Sequence, residues 1–249
     1  MARAALLGRL NWLVASVATL REETPQARTL VLDVPDWPGH VAGQHVDVRL
    51  TAADGYSTAR SYSIANAADG KRVELTVVRI PEGEVSPYLT EEIGVRDLVE
   101  IRGPIGGWFV WQPVQTESVQ LIAGGSGLVP LMAMIRTRVA VRHRAPFRLL
   151  YSVRDPESVL YAAELQDIVA QVPVTYAYTR RVPNGSMERP HRVDAATLAS
   201  ATWPAASAPT CYVCGPTAFV EVAADLLRSA GHEPARIRTE RFGPSGGSP

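Results

Sequence analysis

The sequence predicts two domains, an antiparallel six-stranded β-barrel followed by an α/β domain with an open parallel sheet. Three observations carry this expectation. Residues 12–103 hold short, alternating, β-branched segments cut by turn residues. From residue 117 onward, continuous apolar strands alternate with helical patterns. The 249 residues also exceed one ordinary small domain. The expected boundaries are 1–114 for the barrel, 115–242 for the α/β domain and 243–249 for a flexible Gly/Ser/Pro tail.

The barrel strands come in order. WLVASVATL and ARTLVLDV flank the turn EETPQ, and HVDVRLT (45–51), ARSYSIA (59–65), RVELTVVRI (72–80) and DLVEIRG (97–103) follow. Pro, Gly, Asp and Asn punctuate the gaps. One helix interrupts the series, with Ser86 expected as N-cap, Pro87 in the first helical position and YLTEEI after it. The polar stretch WQPVQT (111–116) joins the halves. Then SVQLIAG (118–124) leads into the helix LVPLMAMIRTRVAVR. FRLLYSV, the helix around LYAAELQDIVA, VPVTYAY, the helix DAATLA, CYVCG, the helix TAFVEVAADLLRSAG and the strand ARIRTERF complete the alternation.

Acidic and basic residues balance at 25 each, which argues against nucleic acid and anionic membranes as partners. The local basic clusters at 136–148 and 180–192 therefore need local explanations. No apolar run reaches the ~18–20 residues of a spanning helix. The start, MARAALLGRLNWLVASVA, loosely imitates a secretion signal, but Arg9 and Asn11 interrupt it, so a cytoplasmic protein is expected. Cys211 and Cys214 form a CxxC on an apparent strand, where side chains three apart point to opposite faces. Two cysteines cannot supply the four thiolates that usually hold an iron–sulfur cluster. No metal site is expected, and electron chemistry here needs an organic cofactor or another protein.

Two stretches of the second half suit nucleotide phosphates. AGGSGLVP (123–130) lies where a strand yields to a helix, so backbone N–H groups and the positive helix end can approach an anion. Such a turn can also be merely tight. CGPTAF (214–219) repeats the arrangement on a later strand, and ligands of open sheets lie at that edge. In the barrel, RSYSI (60–64) sets a guanidinium, an aromatic ring and two hydroxyls together. The guanidinium suits phosphate oxygens, the ring suits a flat apolar cofactor surface, and a hydroxyl suits a polar ring edge. A plain reading remains open, with Arg60 and Ser61 in solvent and Tyr62 in the core. GEVSPYL (83–89) offers a second anion-binding turn at a helix start.

As a set, RSYSI (60–64), GEVS (83–86), RGPIGGWF (102–109), AGGSGLVP (123–130), YVCGP (212–216) and ERF (240–242) resemble the ferredoxin–NADP reductase-like flavoproteins, especially bacterial reductases that feed oxygenases. The resemblance covers nearly the whole chain. It implies that Arg60 binds the FAD phosphates, with Ser61 beside it, that Tyr62 packs on the flavin, and that Ser63 hydrogen-bonds near its N5. It also implies that Gly83, Glu84, Val85 and Ser86 hold the FAD pyrophosphate. Gly124, Gly125, Ser126, Gly127 and Leu128 would cradle the pyridine nucleotide, with Gly215 and Pro216 on the neighbouring turn. Cys214 would sit beside the nicotinamide, and Glu240 and Phe242 would close the other side of the flavin. Ser63, Cys214 and Glu240 are the catalytic candidates.

Two departures stand out. Plant-type members often end on an aromatic residue, whereas seven residues follow Phe242 here, and with only two cysteines a fused ferredoxin domain is not expected. The resemblance thus implies an NAD(P)H-dependent reductase whose acceptor is a separate protein, a ferredoxin or an oxygenase component. Ser152 and Arg154, with Thr179 and Arg180, follow the second and third strands of the α/β domain. Hydroxyls and guanidiniums at these strand ends suit a 2′-phosphate and tilt the expectation slightly toward NADPH. A ferric-siderophore reductase, a free-flavin reductase and a non-catalytic nucleotide-binding subunit stay open as alternatives.

Overall fold

A computed structural model describes residues 10–52 and 54–243. Residues 1–9 of the leader-like start and 244–249 of the tail lie outside the described residues. Leu13–Ala18 belongs to the first barrel strand.

Six strands build the barrel: β1 (Leu13–Thr24), β2 (Ala27–Asp33), β3 (His45–Thr51), β4 (Ser57–Ser63), β5 (Arg72–Val78) and β6 (Leu98–Ile105). Their order is β4-β3-β6-β1-β2-β5, and every pairing is antiparallel. The two ends of the sheet meet through a single antiparallel bridge between Ile64 and Leu75, reinforced where the Ala65 N–H donates to the Glu74 carbonyl at 2.8 Å. Alternation sends Val46, Val48, Leu75, Val77 and Ile101 inward, all at most 1% exposed. β4 ends at Ser63 and β5 at Val78, each earlier than the apolar pattern suggested. A larger difference concerns Ser86. It caps no helix; its Oγ accepts the Ile80 N–H at 3.0 Å and so closes the turn that precedes the helical segment Tyr88–Glu92. The serine is buried, and the nearest orphan donor is that turn's own amide.

The second domain alternates β7 (Val119–Gly124), α1 (Leu128–Ala140), β8 (Phe147–Val153), α2 (Ala162–Ile168), β9 (Val174–Tyr178), α3 (Ala195–Ala201), β10 (Thr210–Pro216), α4 (Thr217–Ser229) and β11 (Ile237–Phe242). The sheet is parallel, in the order β11-β10-β7-β8-β9. The chain therefore winds outward from β7 in one direction and then restarts at β10 on its other side. The crevice between β7 and β10 is the switch point where open sheets bind ligands. Asp194 caps α3 by accepting the Thr197 N–H at 2.8 Å. Leu121, Ala123 and Cys214 face one apolar layer, whereas Ile122, Val213 and Cys211 face the other. The two cysteines are free, on opposite sides of β10.

The domains meet tightly. Phe109 and Trp111, on the connection after β6, pack into the core of the α/β domain. At Gly43, φ is +100°, and an added Cβ would stand 1.9 Å from the Phe109 carbonyl oxygen. Only glycine permits that crossing. Among the described residues no helix is long and apolar enough to cross a membrane, and no cluster of His, Cys, Asp or Glu is placed to hold a metal ion.

Candidate functional site

Strand alternation sorts the RSYSI segment. Arg60 pairs with Val48 and Tyr62 with Val46, so these two side chains share the inner face. Tyr62 packs against the margin of the barrel core, and burial pushes its hydroxyl pKa up to about 12. Arg60 is exposed and reaches Glu84 of the GEVS turn at 2.7 Å. Tyr56 and Thr58 donate to the same carboxylate at 2.9 and 3.1 Å. Residues 60–64 and 83–86 thus lie side by side. Ser61 does not join them. It points to the opposite face and donates to Asp47 at 2.7 Å, next to the Arg102 guanidinium.

In the GEVS turn, Gly83 is required by space, because an added Cβ would meet Ser86 Oγ at 2.9 Å and the Ile80 carbonyl at 3.1 Å. Val85 is fully buried in the barrel core, so any contact it makes to a ligand comes from its backbone. Ser86 accepts from Ile80 and retains its O–H for donation.

In the α/β domain, Gly124 ends β7, Gly125 takes φ +54°, and Gly127 stands directly before α1. An added Cβ at Gly127 would lie 2.1 Å from the Cys214 carbonyl oxygen. At Gly124 and Gly215 it would meet the Phe219 ring at 2.6 and 2.8 Å. These three glycines bring the α1 turn, β10 and the Phe219 ring together at the switch point. Leu128 is buried and anchors α1 from inside. A cleft of about 1140 Å³ opens here, bounded by Gly124, Gly125, Ser126, Pro216 and Phe242. Ser152, Arg154, Thr179 and Arg180 line its far end, and Val78 to Pro81 of the barrel form the opposing wall.

The two halves converge at their inner edge. Cys214 pairs with Glu240 across β10 and β11, and Glu240 Oε1 lies 3.5 Å from His45 Nδ1 of the barrel. His45 in turn pairs with Ser63. Ser63, Glu240 and Cys214 thereby come from both domains to one place. Burial pushes the Cys214 thiol pKa well up, and the Glu240 carboxylate acts in the same direction, so the group is a neutral thiol. Glu240 Oε2 is buried without a hydrogen-bond partner, a position that a ligand donor would satisfy.

His45 and Phe219 were not among the sequence candidates. Alternation along HVDVRLT places His45 on the face of Asp47, but nothing in the chain order reveals that Glu240 faces it. Phe219 closes the CGPTAF stretch, but nothing in that stretch shows that its ring packs against Gly124 and Gly215.

The residues fit both a flavin dinucleotide and a nicotinamide nucleotide: glycine turns where a Cβ would clash, an exposed guanidinium and an orphaned buried carboxylate oxygen are all present. The comparisons agree. The oxidoreductase FAD-binding domain family matches residues 16–110, and the oxidoreductase NAD-binding domain family matches residues 121–225. The chain is 30% identical over 236 residues to the ferredoxin reductase component of 3-ketosteroid-9-alpha-monooxygenase from Mycolicibacterium smegmatis, covering 91% of this chain and 64% of that one. It is also 30% identical over 245 residues to the reductase subunit of an aromatic O-demethylase from Amycolatopsis, covering 95% and 71%. The crystal structure of the flavohem-like FAD/NAD-binding domain of nitric oxide dioxygenase from Vibrio cholerae superposes with a TM-score of 0.80 at 25% identity, covering 93% and 99%. The chain spans 48% to 64% of the length of the first three curated relatives it matches.

A flavin-binding barrel joined to a nicotinamide-nucleotide-binding α/β sheet defines a two-domain flavoprotein of the oxidoreductase class. Within that class, the chain belongs to the ferredoxin–NADP reductase-like family.

Proposed function

We propose that the chain takes a hydride from NAD(P)H by way of FAD and passes electrons to a separate redox protein, a ferredoxin or an oxygenase component. The observation that carries this reading is the convergence of Ser63, Glu240 and Cys214 from two domains beside the large cleft. The two relatives that serve a monooxygenase and an O-demethylase support the choice of acceptor class. When bound, FAD would supply two-electron uptake and single-electron release. The chain's own share is placement. Arg60 and the GEVS turn hold phosphates, Tyr62 offers its ring as a wall, and the Ser63 hydroxyl and Glu240 carboxylate set hydrogen bonding at the reacting edge. The turn at Gly124–Leu128 and the strand ends near Gly215 and Pro216 hold the nucleotide. Cys214 shapes the nicotinamide pocket as a neutral thiol, and Phe242 closes the cleft beside Pro216. Effective transfer asks for reacting atoms about 3–3.5 Å apart, which a fixed domain arrangement supplies. We place the domain boundary near residue 114 and the protein in the cytoplasm.

Ser152, Arg154, Thr179 and Arg180 at the far end of the cleft favour NADPH, since guanidiniums and hydroxyls suit a 2′-phosphate. The purified protein is expected to be yellow, or to take up FAD, and to bleach anaerobically with either nucleotide, with the higher kcat/KM for NADPH. Equal kcat/KM values would remove the NADPH preference. A protein that binds no flavin would overturn the enzyme reading in favour of a nucleotide-binding subunit.

Cys214→Ala tests the nicotinamide pocket. Removing the sulfur leaves the barrel untouched, so FAD content is expected to stay at the wild-type level. The misplaced ring should slow flavin reduction about 10-fold in single-turnover measurements, within the range that small misplacements cost. An unchanged rate would take Cys214 out of the pocket.

A further inference from the structure

Arg136 lies midway along α1, the helix whose first residue, Leu128, follows the nucleotide turn. By sequence it belongs to a basic helical stretch suited to solvent. In the structure its side chain is only 17% exposed and reaches across to the barrel. Nη1 donates to the Ala65 carbonyl at 2.9 Å and lies 3.5 Å from Glu74 Oε2. Nε and Nη2 grip both carboxylate oxygens of Glu164 on α2, at 2.8 and 2.5 Å. The guanidinium carbon sits 4.7 Å from the centroid of the Tyr161 ring. Tyr161 has φ 54° immediately before α2, and its hydroxyl donates to Thr76 Oγ1 of β5 at 2.5 Å. Two groups of the α/β domain, one charged and one neutral, thus hold the same β4–β5 end of the barrel.

What they hold is informative. Ala65 lies just past Ser63, and its N–H is already fixed by the Glu74 carbonyl at 2.8 Å. Its carbonyl, which accepts from Arg136, therefore belongs to a residue that is tied to the barrel edge and also packs into the α/β core. A guanidinium is planar and rigid, and its fork transmits that position to α1 and α2 with little play. Along α1, the same rigid helix ends at the Gly127 turn. One side chain thus links the segment just past the strand proposed to carry the flavin to the helix that follows the turn proposed to carry the nucleotide.

We propose that Arg136 is a positioning residue for hydride transfer: it fixes the separation of the two cofactor sites without contacting either cofactor. The inference rests on the proposed function above. Its consequence is a selective one. Loss of the fork should lower the rate of transfer while leaving both affinities nearly intact, because neither set of phosphate-binding groups is touched.

The test uses the full chain as purified. Arg136→Gln is expected to cut the limiting rate of flavin reduction by about 10- to 100-fold, the scale of a misplacement near 1 Å, with FAD content and nucleotide Kd within about 3-fold of wild type. The long-wavelength charge-transfer absorption of the flavin–nicotinamide complex should weaken in parallel. Backbone hydrogen exchange without added nucleotide should rise at Ile64–Asn66 and around Tyr161, and stay at the wild-type level along β10. Tyr161→Phe, which loses only the bond to Thr76, should move every readout the same way by a smaller factor, and it decides the matter if Arg136→Gln does not fold. A per-flavin rate within twofold of wild type overturns the proposal, as does hydrogen exchange raised uniformly over both domains. A wild-type protein that neither nucleotide reduces would refute the proposed function instead, while the exchange pattern would still report whether Arg136 holds the two domains together.

Discussion

Gly127→Ala is expected to be the most damaging single-methyl change in the chain's second half. Nothing in the local backbone forbids alanine there, since φ is −60° and ψ is −10°. The obstacle is space. The added Cβ would stand 2.1 Å from the Cys214 carbonyl oxygen, 2.4 Å from its carbon and 2.7 Å from the Gly215 nitrogen. All three are backbone atoms of β10, so no rotamer change relieves the contact. Either the start of α1 or the Cys214–Gly215 segment must move. Overpacking of this kind costs roughly 1–3 kcal/mol, and the absence of a yielding side chain puts this case at the upper end. A shift near 1 Å would also displace the nucleotide turn relative to the flavin site, enough for about a 100-fold loss in hydride-transfer rate. Gly125→Ala is the informative contrast. Its φ is +54° and nothing lies within 4 Å of the added carbon, so it pays only the left-handed penalty of about 1–2 kcal/mol. Urea unfolding and single-turnover reduction of both variants separate the two causes. A Gly127→Ala protein with wild-type stability and rate would show that the α1–β10 crossing has slack that these distances exclude.

The contrast also shows what was legible in the sequence. Both glycines belong to AGGSGLVP, and the pattern of a strand, glycines and a helix located the turn. It could not rank them, because the ranking depends on β10, which comes much later in the chain. The same division runs through the whole molecule. Periodicity found all six barrel strands and the α/β alternation, since alternation and helical spacing are local properties. It missed the early ends of β4 and β5, where turn hydrogen bonds take over from strand pairing. Ser86 looked like a helix cap because its neighbours are Pro87 and an acidic helical run, yet the amide of Ile80 claimed its oxygen first. Ser61 looked like part of a phosphate grip. Alternation alone would put it opposite Arg60, and its bond to Asp47 holds it there. Arg136 and His45 were invisible for a different reason. Their partners, Ala65 and Glu240, lie on the other domain, and no local pattern encodes a contact between domains. The single turns were therefore readable from local pattern, the meeting of Ser63, Cys214 and Glu240 only through the family resemblance, and the cross-domain contacts of Arg136 and His45 from neither.

Arg60→Ala is expected to yield a folded protein with little bound flavin. The guanidinium contacts Glu84 at 2.7 Å, with side chains 53% and 49% exposed, and a pair so open to water contributes little to folding. Thermal unfolding of the flavin-free variant should thus match that of flavin-free wild type. Binding is another matter, since a forked guanidinium–phosphate contact is among the stronger polar interactions a protein makes. Its loss should weaken FAD by about 10- to 100-fold, measured by flavin fluorescence on titration. Glu84 sharpens the test. Hydrogen bonds from Tyr56 and Thr58, with the nearby Arg60 charge, hold its carboxyl pKa below the usual range, so it stays anionic at neutral pH. A phosphate arriving at Arg60 must displace that carboxylate and meets its repulsion. Glu84→Gln removes the competitor and keeps hydrogen-bonding capacity, so FAD affinity should hold or rise, and its dependence on salt should change. If Arg60→Ala binds FAD as tightly as wild type, the fork serves only Glu84, and the phosphate grip of the barrel must lie in the backbone of the Gly83–Ser86 turn alone.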